Sequence, residues 1–417
     1  MNFTKDNLLL YAVTDRSWLN GETLAQQVEK ALKGGATIIQ LREKNLSYDE
    51  FLQSATEIKK ITEKYNVPLI INDNVEIALK ADADGVHLGQ GDMSAAEARK
   101  ILGKDKIIGV SARTCEQAKA AEASGADYLG VGAVFSTSTK TDAKPLEHEM
   151  LKKICDTVSI PIVAIGGISQ DNILQLMGTH ISGVAVVSAL FAQDDITNAA
   201  RELLKKAKQA TIQGAIFDLD GTLIDSMPLW DNIGISLLES LGATPLPDLK
   251  EQLRPMSLEE SCVYIKKEYS LKQTPDELLF MLLNMVKDSY RNVPLKNGVK
   301  EMLSSMKGVK KYICTLTEPK LAQAVLERNG VWDYFDGIVS ATEYSLNKST
   351  SALYDITLAK LGTPKECTYI FEDSLTGITS AKKGGYTTVG IYDECADYKK
   401  VQECADFFTT DYKEWYI

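Results

Sequence analysis

From the start of the chain to about residue 210, short apolar runs alternate with longer stretches whose apolar residues recur at helical spacing. The runs are Leu8–Val13, Ala36–Leu41, Pro68–Ile71, Gly85–Leu88, Ile107–Val110, Tyr128–Val131, Ile160–Ile165 and Val184–Val187. Between them lie amphipathic segments such as Thr23–Lys33, Tyr48–Tyr65, Ala95–Leu102 and Cys115–Ala123. Strand–helix alternation at this spacing predicts a parallel sheet, and eight such units predict closure into a (βα)8 barrel. An open doubly wound sheet is the alternative; the first run is not followed by GxGxxG, which counts against it. A helical pattern over Thr197–Gln209 closes this half. A new apolar run, Ile212–Phe217, follows without a Gly/Ser/Pro-rich linker. The pattern therefore predicts two closely joined α/β domains, 1–211 and 212–417. In the second, helical stretches including Trp230–Leu241 and Glu277–Tyr290 interrupt the core as an inserted cap at about 228–294, its Trp, Met and Leu content reading as cap core.

The residues just after each run carry the first chemical signal. They are Thr14-Asp15, Gln40 to Lys44, Asn72-Asp73, Gly89 to Asp92, Ser111, Thr137 to Lys140, Gly166-Gly167 and Ser188. In a barrel all of these fall on the C-terminal rim, where active sites are built. Arg42, Lys44 and Lys140 offer three cations, and Asp73 and Asp92 offer hard oxygen ligands, a set suited to a diphosphate–magnesium complex. Gly166-Gly167 and Ser188 follow strands seven and eight, where barrels commonly hold a phosphate. Each alone has a plainer reading: a solvated loop charge, a tight turn, a helix cap. The ring as a whole implies two phosphorylated small molecules. His87, inside an apolar run, reads as a core residue.

In the second half an apolar strand ends in Asp218-Leu219-Asp220-Gly221-Thr222, which places two carboxylates at a strand tip beside a glycine turn. A calcium loop would need further acidic residues at alternating positions and a glutamate at the twelfth. Those are missing. Tyr312–Leu316 is a second strand leading to Thr317, Lys348 follows in a loop, and Tyr369–Phe371 runs into Glu372-Asp373.

Composition narrows the partners. The 417 residues are 44% hydrophobic and 25% charged, the mix of a globular protein, with a net charge of -11. A chain this acidic, with no basic run, is a poor nucleic-acid binder. Seven scattered cysteines without a CxxC pair read as free thiols in a reducing compartment. With no signal-like N-terminus and no long apolar stretch, the expected location is cytoplasmic, with no membrane partner. The oligomeric state stays open, a homo-oligomer among the options.

QLREK, NDN, ADGVHLGQGD, GVSART, GVGAVFSTSTK, AIGGI and VVSAL, in this order over residues 5–210, resemble the motifs of thiamine-phosphate synthase. That resemblance implies condensation of hydroxymethylpyrimidine diphosphate with a thiazole phosphate, giving thiamine monophosphate and pyrophosphate. It implies that Gln40, Arg42, Lys44, Asn72 and Lys140 bind the pyrimidine diphosphate, and that Asp73 and Asp92 hold magnesium. Ser111 would assist the departing pyrophosphate. Thr137, Thr139, Gly167, Val187 and Ser188 would surround the thiazole phosphate. Arg113 stands where the family varies.

The segment around Asp218, with Thr317, Lys348 and Glu372-Asp373 in order, resembles the haloacid dehalogenase-like phosphatases, whose core is Rossmann-like. The resemblance implies that Asp218 is the nucleophile and Asp220 the acid–base. Thr317 and Lys348 would hold the phosphoryl group, and Asp218, Asp220 (through its carbonyl) and Asp373 a second magnesium. Two departures are Glu318-Pro319 after Thr317 and Ser349-Thr350-Ser351 after Lys348. Three readings of this half follow: hydrolysis of thiamine monophosphate to thiamine, hydrolysis of a different small phosphate, or a non-catalytic phosphate-binding regulatory domain.

Overall fold

The computed structural model describes residues 3–136, 145–253, 256 and 258–415, apart from the side chains at 288 and 414. Thr137, Thr139 and Lys140 lie outside the described residues. The chain forms two compact units, Met1–Ile212 and Gln213–Ile417. Among the described residues no helix is long and apolar enough to cross a membrane.

The first unit is a closed barrel of eight parallel strands. They are β1 (Leu10–Val13), β2 (Ile38–Leu41), β3 (Leu69–Asn72), β4 (Gly85–Leu88), β5 (Ile107–Ala112), β6 (Tyr128–Gly132), β7 (Ile162–Ile165) and β8 (Gly183–Val186). Closure is made by β1 on β8, with Tyr11 paired to Ala185. The expected first strand loses its start: Leu8 is buried but belongs to a 3-10 turn, Lys5–Leu8. Helices begin where the chain offers a cap. Thr23, Ser47 and Ser94 each accept from the third helical N–H, while Gln26, Glu50 and Glu97 reach back to the cap N–H.

Strand alternation sorts side chains between two cores. Leu10, Ala12, Ile39, Leu41, Leu69, Ile71, Val86, Leu88, Leu129 and Val131 point outward into the layer under the helices. Tyr11, Val13, Ile38, Ile70, Ile107, Tyr128, Val163 and Ala185 point into the barrel. By the same alternation Gln40, Asn72, His87 and Ser111 occupy inward positions nearer the strands' C-terminal ends. The lower barrel is therefore apolar and its upper layer polar.

The second unit holds a six-stranded parallel sheet in the order β11-β10-β9-β12-β13-β14. The strands are β9 (Gly214–Phe217), β10 (Lys310–Thr315), β11 (Gly337–Ser340), β12 (Thr368–Glu372), β13 (Thr387–Ile391) and β14 (Phe407–Thr409). Helices Met227–Ser240, Leu249–Leu253, Leu258–Glu268 and Pro275–Tyr290 are inserted between β9 and β10. The central strand β9 lies between β10 and β12, with Phe217 paired to both Ile313 and Phe371. The residues that follow these three strands must converge at one carboxyl-end crevice, the usual place for a site in such sheets.

Candidate functional sites

The barrel interior opens at its upper layer into a cavity of about 640 Å³. Its wall brings together Gln40, Arg42, Asn72, Ser111, Gly167, Val187 and Ser188 from five different strand ends, together with Arg113. Arg42 is set by its own backbone N–H, which donates to Thr14 Oγ1 at 3.0 Å. Gly166 and Gly167 take φ of 100° and 69°, which bends the chain after β7 along the cavity wall.

Three expected residues form a group of their own beside this wall. Asp73 follows Asn72 in left-handed backbone, φ 63°, a conformation Asp tolerates better than most residues. Lys44 Nζ lies 3.4 Å from its carboxylate. Asp92 is tied back by accepting from Gly89 N–H at 2.7 Å. Burial first, and then Asp92 beside it, raises the Asp73 carboxyl above its usual value, against the pull of Lys44. Two adjacent carboxylates with one ammonium leave negative charge uncompensated, which a divalent cation would relieve. Lys44, Asp73 and Asp92 are not among the described residues lining the cavity itself.

His87 departs from the core reading. It lines the cavity, with Nδ1 3.0 Å from the Tyr128 hydroxyl and Nε2 3.0 Å from Ser111 Oγ. The outward burial of its neighbours Val86 and Leu88 is the signal that could have placed it inward. Tyr11 and Tyr128, which sit in apolar runs with the same alternation, also line the cavity.

In the second unit, the tips of β9 and β12 and the loop before helix Ala352–Leu361 build a buried ionic cluster. Lys348 Nζ hydrogen-bonds Asp218 Oδ1 and, at 2.7 Å, Glu372 Oε2. Tyr354 donates to the same Glu372 oxygen at 2.9 Å. Asp218, Glu372 and Asp373 offer carboxylate oxygens within 4.8 Å of one another, all three residues buried. Burial opposes the charge on Lys348, and Asp218 with Glu372 overcomes it, so the ammonium titrates well above the usual lysine range. Burial and then Glu372 drive Asp218 up against Lys348, and burial followed by Glu372 pushes Asp373 up to about 7. One buried ammonium thus faces three carboxylates, an arrangement with room for a further positive charge.

Gly221 allows this proximity. Its φ is 75°, and a Cβ there would stand 2.4 Å from Asp373 Oδ2. Thr222 Oγ1 then donates to Asp373 Oδ1 at 3.0 Å.

Asp220 points elsewhere. Its Oδ1 accepts from Ser226 Oγ at 2.7 Å, Tyr290 OH at 2.7 Å and Trp230 Nε1 at 3.3 Å, and its Oδ2 from Thr317 Oγ1 at 2.7 Å. Two of these donors, Trp230 and Tyr290, belong to the inserted helices, so they are more than cap core. Burial and then the Asp220 charge raise the Tyr290 phenol well above its usual value, which keeps it a donor. Thr317 is brought to Asp220. Thr315, the last residue of β10, is fully buried and accepts from Thr317 N–H at 3.0 Å, a hydroxyl that the apolar pattern alone marks only as strand.

Residues 10–190 match the family described as thiamine monophosphate synthase, and residues 215–391 the haloacid dehalogenase-like hydrolases. A thiamine-phosphate synthase from Ruminiclostridium cellulolyticum is 55% identical over 202 residues, 48% of this chain and 96% of the relative. One from Clostridium tetani is 53% identical over 194 residues, 46% of this chain and 93% of the relative. Among solved structures, a thiamine phosphate pyrophosphorylase from Pyrococcus furiosus is 40% identical, with a TM-score of 0.46 over 49% of this chain and 98% of that one. Through its barrel the chain belongs to the thiamine-phosphate synthase family, and the same polypeptide continues into a haloacid dehalogenase-like hydrolase unit.

Proposed function

We propose that the barrel condenses hydroxymethylpyrimidine diphosphate with a thiazole phosphate, and that the second unit hydrolyses the thiamine monophosphate formed. The observation that carries the first half is the single cavity on which Gln40, Arg42, Asn72 and Ser111 meet Gly167, Val187 and Ser188. Gln40 and Asn72 orient the pyrimidine. Arg42 and Lys44 hold its diphosphate, with Lys140 assigned to the same task from sequence alone. Gly167, Val187 and Ser188 receive the thiazole phosphate, Thr137 and Thr139 again by sequence alone.

The reaction places its demand on the leaving group. The methylene C–O bond breaks with its electrons passing to pyrophosphate, and the thiazole nitrogen lone pair forms the new C–N bond. Donors aimed at the oxygens where charge builds are the largest lever available. Ser111 and Arg42 act there, so no nucleophilic side chain is required. A magnesium ion held by Asp73 and Asp92 would neutralise diphosphate charge.

In the second unit Asp218 attacks phosphorus, displacing the alcohol and forming an aspartyl-phosphate that water then cleaves. Asp220 gives the leaving alcohol its proton and later takes one from that water. Lys348 lowers the repulsion between carboxylate and phosphate. A second magnesium, held by Asp218, Asp373 and the Asp220 carbonyl, would supply Lewis acidity at the phosphoryl oxygens. Glu372 holds Lys348 in place.

Thiamine monophosphate is favoured as substrate because a covalent tether raises its concentration near the second unit. The test is turnover of a phosphate panel by the full chain with magnesium. Hydrolysis of thiamine monophosphate with the highest kcat/KM supports the reading. Preference for another phosphate removes the coupling, and no turnover of any phosphate favours a binding role.

A further inference from the structure

Five side chains of the barrel form one continuous hydrogen-bonded chain. Gln40 Nε2 donates to the Tyr11 hydroxyl at 2.9 Å, and the Tyr11 and Tyr128 hydroxyls lie 2.8 Å apart. Tyr128 OH is 3.0 Å from His87 Nδ1, and His87 Nε2 is 3.0 Å from Ser111 Oγ. Tyr11 and Tyr128 are buried, and burial raises both phenols well above their usual value, so each has one proton to give. The path is built tightly. A Cβ at Gly109 would fall 2.1 Å from the Tyr128 ring, and one at Gly130 2.9 Å from His87 Cε1.

Such a chain can run in either of two directions, and the group at its head decides which. An amide N–H at Gln40 occupies the Tyr11 oxygen as acceptor, so Tyr11 passes its own proton toward Tyr128. Tyr128 then donates to His87 Nδ1, which leaves the imidazole proton on Nε2, facing Ser111 Oγ. With its oxygen already accepting, the Ser111 hydroxyl has its proton free for the cavity.

We propose that Gln40, through Tyr11, Tyr128 and His87, fixes the Ser111 hydroxyl as a donor toward the departing pyrophosphate. This rests on the synthase reading of the barrel. His87 is a positioning residue in it: it holds one tautomer and moves no proton. Ser111 donates a hydrogen bond, the electrons of the breaking C–O bond staying on pyrophosphate. Reversed, the same five residues would turn the Ser111 proton toward His87 and withdraw it from the leaving group.

The orientation is directly observable. The chain has three histidines, so a two-bond 1H–15N correlation spectrum of the full chain labelled in histidine, assigned with His87→Gln, reports the His87 tautomer. The expected form carries its proton on Nε2. Gln40→Glu puts an acceptor at the head, and should move the proton to Nδ1 while lowering kcat for thiamine monophosphate formation about ten- to a hundredfold. In a Ser111→Ala background the same change should cost about tenfold less in kcat than it does in the wild type, because the hydroxyl it acts through is gone and only the contact of Gln40 with the pyrimidine remains to be lost. A purely structural role would give equal losses in both backgrounds, and that result overturns the proposal. So does an Nδ1–H tautomer in the wild-type spectrum, which decides the orientation whether or not Glu is tolerated at position 40. Failure of the wild-type chain to form thiamine monophosphate is a separate result; it overturns the synthase reading, and the role of Ser111 with it.

Discussion

The two sites solve opposite electrostatic problems with opposite materials. The barrel cavity is walled mostly by neutral groups, with Arg42, Arg113 and Asp15 among them; the hydrolase crevice packs three carboxylates against one lysine with little solvent. The difference follows from where the reactive charge comes from. On the proposed reading, the barrel's substrate brings its own leaving group, and the protein must orient donors around it. The second unit must itself supply the attacking group, so it buries an anion and holds it with Lys348. Burying such a charge is costly unless it is paired, and removing one partner of a buried pair typically costs about 3–5 kcal/mol. The ring of donors in the barrel carries no such penalty.

The sharpest way to separate the sites is to remove the buried nucleophile. Asp218→Asn should lower phosphate release by on the order of 10⁴-fold or more while leaving condensation intact. Loss of both activities in that variant would contradict independent sites. Next in size, Arg42→Ala or Asp92→Ala should reduce condensation about a hundred- to a thousandfold and spare hydrolysis, read by steady-state kinetics of both products. Tyr290→Phe removes one of four donors to Asp220, so hydrolytic kcat should fall about tenfold, as for loss of a hydrogen bond to a charged group. An unchanged kcat would mean that the inserted helix does not hold Asp220 during turnover. Lys44→Ala should have the smallest effect. Its side chain is 55% exposed, and exposed pairs contribute only about 0.2–1 kcal/mol, so KM for the diphosphate should rise less than about tenfold.

Much of both folds was legible because parallel strands announce themselves as short apolar runs between amphipathic helices. The same feature hid part of the barrel site. In Leu8–Val13 and Tyr128–Val131 nearly every residue is apolar, since both strand faces are covered, so no alternation showed which residues faced inward. It is the outward packing of Leu10, Val86 and Leu129 that turns Tyr11, His87 and Tyr128 inward into one network. The hydrolase carboxylates were easier, because Asp218 and Asp373 are charged residues at the ends of apolar strands. The contacts of Asp220 were not legible. Trp230 and Tyr290 reach it from two helices, Met227–Ser240 and Pro275–Tyr290, with 34 residues of chain between them, and helical periodicity alone does not tell a core-facing ring from one aimed at a carboxylate. The strand before Thr317 also ends early. Leu316 is 54% exposed beyond β10, which leaves Thr315 as the buried hydroxyl at the tip.

One product analysis bears on both halves together: the full chain supplied with hydroxymethylpyrimidine diphosphate, thiazole phosphate and magnesium. Thiamine with pyrophosphate and inorganic phosphate is the predicted outcome, and Asp218→Asn should stop the sequence at thiamine monophosphate. Accumulation of thiamine monophosphate by the wild-type chain, with no thiamine formed, would contradict the proposed pairing of the two activities.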